Sequence, residues 1–161
     1  MRKVISNTTP LLSLLKIDKL NLLRDLYGVV LIPKAVFLEI EAGREKPYYK
    51  NLREMDWIRI EDIRSVESRT YFFDLDDGEA EVLILAKEQD ADLVILDEIM
   101  GRRYAQQLDF NITGTVGILL KSKEKGLVSS IGSLLKELTE KGTWFSPDLI
   151  SKALKLAGET K

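Results

Sequence analysis

The chain has 161 residues, with 24 lysines and arginines against 26 aspartates and glutamates, and it lacks both cysteine and histidine. That length, with 45% hydrophobic residues, supports one domain with an ordinary core, and the net charge of −2 leaves nucleic-acid binding to a local basic patch. The missing residue types exclude disulfides, thiolate and Ser-His-Asp catalysis and the usual zinc ligand sets; carboxylates remain as acids, bases and ligands, a donor set suited to Mg²⁺, Mn²⁺ or Ca²⁺.

The opening Met1-Arg2-Lys3-Val4-Ile5-Ser6 runs straight into a strand without the apolar stretch of a signal peptide. No apolar run approaches the roughly 20 residues of a membrane span, so the expectation is a cytoplasmic protein with no membrane contact. Asn7-Thr8-Thr9-Pro10 leaves that strand through polar residues suited to capping a helix, predicted over Leu11 to Leu15. Leu20 to Leu26 continues helical after a break near Asp18, and Gly28 ends it. Val29 to Ile32 makes a second buried strand, and Pro33 begins a helix from Lys34 to Glu41 that ends near Gly43. Strand, helix, strand, helix predicts an α/β fold on a parallel sheet. Arg44 to Asp56 is charged and partly helical by composition, Trp57 to Ile60 alternates like an edge strand, and Glu61 to Phe73 is a polar connection.

Leu75 to Glu98 reads as acidic turn, helix, strand and acidic tip. Val82 to Ala86 is an apolar run among good helix formers, Asp90-Ala91-Asp92 breaks it, and Leu93 to Leu96 is a strand without polar alternation, hence covered on both faces. Asp97 and Glu98 follow its carboxyl end, where open parallel sheets bind ligands. A short helix from Gly101 to about Leu108, a small strand at Asn111 to Thr113 and a helix from Val116 to Lys123 come next. From Leu127 the chain reads helical, over Ile131 to Glu140 and Pro147 to Leu156.

With parallel strands, Asn7-Thr8-Thr9, Asp97-Glu98 and Asn111 to Thr115 end on one edge, over which Glu39 and Glu79 could lean. Carboxylates gathered without a histidine or an evident arginine partner repel unless a divalent cation fills the gap, so Mg²⁺ or Mn²⁺ is the simplest resolution. Each residue also has a plainer reading. Asp76 and Glu79 fit an Asp-x-x-Glu variant of the capping box, and Asp74, Asp77 and Glu81 could complement the helix dipole. Glu39 could be solvent surface near a helix end, and Asp97 could cap the helix that follows it. Arg102-Arg103 and Lys121, Lys123 and Lys125 could be solvated charge. Trp57, Trp144 and Phe145 read as core or interface rather than as base-stacking platforms.

Asn7-Thr8-Thr9-Pro10-Leu11, the Ile-Pro-x-x-Val-x-x-Glu pattern from Ile32 to Glu39, Asp77-Gly78-Glu79-Ala80-Glu81, Leu96-Asp97-Glu98, Gly101-Arg102-Arg103 and Gly114-Thr115-Val116-Gly117 together resemble a prokaryotic subgroup of the PIN domain family. Order and spacing across most of the chain carry the resemblance, and the helical tail from Leu127 fits it. It implies a three-layer α/β/α fold with a central parallel sheet, one domain over 1–161 with 127–161 as a C-terminal helical extension. It further implies an Mg²⁺- or Mn²⁺-dependent endoribonuclease that hydrolyses phosphodiesters of single-stranded RNA, the toxin of a toxin-antitoxin pair. The implied partners are an antitoxin protein and a second copy in a homodimer, with apolar faces around Leu20 to Leu26 as contacts.

In that family, acidic residues at the first strand tip, the second helix, the start of the central helix and the fourth strand tip bind the metal; here those positions carry Asn7, Glu39, Glu79 and Asp97, and Thr9 matches a supporting polar position. The wider family has aspartate where this chain has Asn7, whose amide oxygen can ligate but brings no charge, so weaker metal binding is expected. On this reading Glu39, Glu79 and Asp97 carry catalysis, with Asp97 central. Glu98, Asp77 and Glu81 make outer contacts or activate water, and Arg102 and Arg103 meet RNA phosphates. Two rival classes stand beside it. One is a catalytically weakened PIN-like module that binds nucleic acid or serves assembly; the other is a phosphatase or phosphoacceptor domain, whose nucleophile would fall on Asn7, which cannot serve.

Overall fold

The computed structural model describes residues 2–159; Met1, Thr160 and Lys161, the outermost positions of the expected domain, lie outside the described residues. Five short strands, β1 (Val4–Ser6), β2 (Val30–Pro33), β3 (Ile58–Glu61), β4 (Leu93–Ile95) and β5 (Ile112–Thr113), form one sheet in the order β3-β2-β1-β4-β5, with every pair parallel. β1, β2 and β4 are buried at every position, which is why their sequences show no polar alternation: a strand covered on both faces needs apolar side chains on both. β3 is the edge strand its alternation predicted, with only Ile58 buried.

The chain leaves β1 toward β2 on one side and leaves β4 toward β5 on the other, although β1 and β4 are direct neighbours, with Ser6 opposite Ile95. Diverging connections open a crevice at the carboxyl ends of these two strands, the usual ligand position in sheets of this type. Asn7, Glu39, Glu79 and Glu98 gather there.

Helices cover both faces. α1 (Thr8–Lys16) and α2 (Asn21–Tyr27) connect β1 to β2, separated by Asp18, whose φ of 54° forbids a continuous helix. α3 (Lys34–Ala42) follows β2, and α4 (Asp77–Gln89) packs on β1, β2, α3 and α5 (Ile99–Gln107). α6 (Thr115–Glu124) packs on α1 and α2 in the opposite layer. α7 (Gly132–Glu140) and α8 (Pro147–Leu156) form the helical tail. α4 is the best-buried helix, from Gly78 to Ala86 apart from Glu81, and ends at Asp90, which takes the left-handed conformation. Among the described residues no helix is long and apolar enough to cross a membrane.

Two expectations need correction. Arg44 to Asp56 holds only a 3-10 turn at Leu52–Glu54, opened by the Asn51 side chain, which accepts from the Arg53 amide at 3.0 Å; Pro47 leaves no room for a longer helix. α1 and α5 start earlier than predicted, because Asn7 and Glu98 are extended and the helical conformation begins at once after each. Leu20, Leu22 and Leu23 are only 3, 5 and 0% exposed. The apolar face of that stretch packs largely on β2 and α6, with Leu26 only partly buried.

The tail is fastened at its end. Glu159 accepts hydrogen bonds from the Ile131 amide (2.8 Å), the Gly132 amide (2.9 Å), Ser130 Oγ (2.9 Å) and Lys123 Nζ (2.9 Å). The Ile131 amide bond leads in holding its carboxyl at about 2, against the opposing effect of burial.

Candidate functional site

Asn7 is the first residue beyond β1, and its amide donates to Ile95 O at 2.9 Å, prolonging the β1–β4 ladder by one residue. That fixes the side chain in the crevice. Asn7 occupies the N-cap position of α1, yet its side chain makes no capping bond; Nδ2 instead donates to Glu98 Oε2 at 3.4 Å. Its Oδ1 is buried and has no hydrogen-bond partner among the described residues.

The next two residues point to different sides of the first helical turn. Thr8 Oγ1 donates to Glu39 Oε2 and Thr9 Oγ1 to Glu98 Oε1, each at 2.5 Å. Consecutive hydroxyls thus hold two carboxylates from distant parts of the chain. Thr8 was not anticipated from sequence; the adjacent hydroxyls of Thr8-Thr9 at a helix start were the available signal.

Glu39 reaches the crevice from α3, where its Oε1 also accepts from the Gly78 amide at 3.1 Å. A Cβ on Gly78 would stand 2.5 Å from that oxygen, so only glycine lets α4 approach so closely. Burial pushes the Glu39 carboxyl above its ordinary range, opposed by the Thr8 hydrogen bond and reinforced by the charge of Asp76.

Glu79 is more extreme. It is 7% exposed, and burial first, then the neighbouring Asp76 and Glu98, push its carboxyl up to about 7. Its Oε2 is buried without a partner among the described residues, 3.0 Å from where a Cβ on Gly101 would be. Asp76 caps α4, accepting from the Glu79 amide at 2.8 Å, as the capping reading had it.

Asp97 and Glu98 part company. Glu98 turns to Asn7, Thr9 and Glu79. Asp97 accepts from the Thr115 amide at 2.8 Å through Oδ1 and from Thr115 Oγ1 at 2.7 Å through Oδ2, so it caps α6 and not the helix that follows it. The residues expected to make outer contacts have partners of their own, while the charge of Asp77 also acts on Glu39. Asp77 is an exposed partner of Arg69 at 3.3 Å, and Glu81 accepts from the Ala35 amide at 3.1 Å, serving the start of α3. Arg102 Nη1 donates to Leu96 O at 2.9 Å, which anchors its guanidinium at the tip of β4, whereas Arg103 is exposed. Trp57 is in the core at 8% exposure, Phe145 packs partly against it, and Trp144, expected to be covered, is 78% exposed.

Asn7, Glu39, Glu79 and Glu98 therefore meet through Thr8 and Thr9, with Asp97 and Arg102 on the adjoining rim. Among the described residues no three carboxylates stand close enough to form a ready-made cation cage. Two features nonetheless fit a divalent ion: the unpartnered buried oxygens of Asn7 and Glu79, and a Glu79 carboxyl whose charge nothing nearby compensates. Oxygen donors of this kind suit Mg²⁺ or Mn²⁺.

A parallel sheet between two helical layers, with carboxylates collected at its switch point, defines a three-layer α/β/α domain. A family model described as a PIN domain matches residues 3–159, and the chain belongs to that family. Its fold is accordingly of nuclease type, and PIN domains are generally nucleases and typically depend on divalent metal ions. No curated protein and no solved structure shows a significant match to the chain.

Proposed function

We propose that the chain is an Mg²⁺- or Mn²⁺-dependent endoribonuclease that hydrolyses single-stranded RNA, and that it acts as the toxin of a toxin-antitoxin pair. One observation carries the reading: two buried oxygens, Asn7 Oδ1 and Glu79 Oε2, have no partner among the described residues, in a crevice that already holds Glu39 and Glu98. Unpartnered buried oxygens beside compressed negative charge destabilise a fold unless a cation satisfies both.

Asn7, Glu39, Glu79 and Glu98 would hold the ion, with Asp97 completing the acidic rim. Glu98 stands beside Asp97 as a strand-tip ligand: the oxygens of each already accept hydrogen bonds, but Glu98 is held to Asn7 and Thr9 and acts directly on Glu79, whereas Asp97 is held to Thr115. Such an ion, when bound, polarises a phosphodiester and offsets charge on the leaving oxygen. The chain's own groups supply the rest. Thr8 and Thr9 fix the carboxylates in direction, the crevice carboxylates would take up the proton that the attacking water loses, and Arg102 meets a phosphate oxygen. Water adds to phosphorus as the bond to a ribose oxygen breaks, and that oxygen takes up a proton.

Purified protein is incubated with labelled single-stranded RNA in Mn²⁺, Mg²⁺ or EDTA, with Glu79→Gln and Asp97→Asn prepared identically. Cleavage that requires the metal and is lost in Glu79→Gln supports the reading. Cleavage retained in Glu79→Gln would identify a contaminant. Inert wild-type protein that nonetheless binds RNA would favour the catalytically weakened binding module, for which the neutral Asn7 speaks.

A further inference from the structure

The helical tail brings the loop 141–146 back to the catalytic edge. There it closes a cleft of about 620 Å³, with Thr9, Asp97 and Arg102 on one side and Trp144, Phe145 and Leu149 on the other. Thr9 belongs to both places: its hydroxyl binds Glu98 in the acidic crevice, and its side chain lines the cleft. A chain-like substrate with one phosphodiester at the crevice must therefore lay an adjoining unit into the cleft.

Trp144 is 78% exposed here, while the other tryptophan, Trp57, is 8% exposed. Phe145 beside it is partly buried against the core, which gives the loop a fixed footing. The cleft is not simply apolar. Arg102 lines it, its guanidinium anchored through Leu96 O; among the described residues it makes no direct ion pair, although the Asp97 carboxylate stands beside it in the lining. A flat ring, a fixed guanidinium and hydroxyl groups next to a phosphodiester site match the two halves of a nucleotide, base and phosphate. A peptide partner would satisfy the ring but would give no reason for the cleft to open into the acidic crevice.

We propose that Trp144 is a base-stacking platform for the unpaired nucleotide next to the scissile phosphodiester, with Arg102 contacting the phosphate between them. The assignment rests on the ribonuclease reading for its substrate class and deepens it: a base can lie on Trp144 only when it is free of a duplex, so the platform selects single strands without reading sequence.

Binding is measured in EDTA, where turnover is absent, with short oligouridylate as the probe and tryptophan emission as the signal. Trp57 is buried, so quenching reports Trp144, and its disappearance in Trp144→Phe verifies the source. Oligouridylate should quench the emission and a duplex of equal length should not. Trp144→Ala should weaken oligouridylate binding, followed by anisotropy, about tenfold, while Trp144→Phe, which keeps a ring, should recover most of it. With Mn²⁺, KM for single-stranded RNA should rise by a similar factor in Trp144→Ala. No quenching, or unchanged binding in Trp144→Ala, overturns the platform even if the wild type cleaves RNA. A loss of dimer mass in Trp144→Ala with RNA binding intact also overturns it and assigns the cleft to a second copy. Quenching without cleavage sinks the ribonuclease reading and leaves the platform standing.

Discussion

Glu79→Gln should stabilise the metal-free protein above neutral pH and leave it unchanged or slightly weaker below. The carboxyl titrates at about 7 in the fold against an ordinary value of 4.5. At roughly 1.4 kcal/mol per pH unit, ionised Glu79 destabilises the native state by about 3 kcal/mol once the pH exceeds both values. The sign follows from proton uptake: between the two values the native state binds more protons than the unfolded chain, so stability falls as the pH rises through that window. Glutamine keeps the shape and removes the charge, but its buried amide lacks full hydrogen bonding and returns about 1 kcal/mol. The net gain is about 2 kcal/mol at pH 8, or roughly 4–8 °C in Tm for a chain of this size. Urea denaturation in EDTA at a series of pH values, with both proteins side by side, measures it. A stability difference that does not change between about pH 5 and pH 8 refutes the argument, because burial of an uncompensated charge must show as a pH dependence.

Glu159→Gln should destabilise the protein by about 2 kcal/mol, since it weakens charge-assisted bonds to the start of α7 and to Lys123. Because that carboxyl is held at about 2, below the ordinary 4.5, its stabilisation is complete above 4.5 and is lost as the pH falls through 2. Denaturation curves should therefore bring variant and wild type together toward low pH, and a constant gap would count against the fastening. Gly78→Ala places a Cβ where the Glu39 carboxylate now lies, and that carboxylate must swing away. Calorimetry should show metal binding weakened about tenfold while helix propensity offsets about 1 kcal/mol of any lost stability; unchanged binding would remove Glu39 from the site.

The strands with no polar alternation, Val29 to Ile32 and Leu93 to Leu96, were legible because burial on both faces leaves a direct compositional trace. The gathering of Asn7, Glu39 and Glu79 at one edge followed from parallel strands and helix spacing. What could not be read were choices made by tertiary packing. Asp97 and Glu98 follow an unbroken apolar strand with no alternation to assign them to opposite faces, so nothing local decides that one serves Thr115 and the other Asn7 and Thr9. Leu20 to Leu26 has the same pattern whether its face meets the core or a partner, and only the position of α6 decides it. Trp144 read as core or interface, and composition alone does not choose between them; its place in a loop at a cleft leaves it uncovered and excludes the core.

Thr8 and Thr9 share one turn of backbone, and through their hydroxyls that turn yokes an arm from α3 to an arm from the tip of β4. The two arms cannot drift independently. Whatever shifts Glu98 drags the turn and re-aims Glu39, so the crevice behaves as a single mechanical part whose damage from two separate lesions is counted once rather than added.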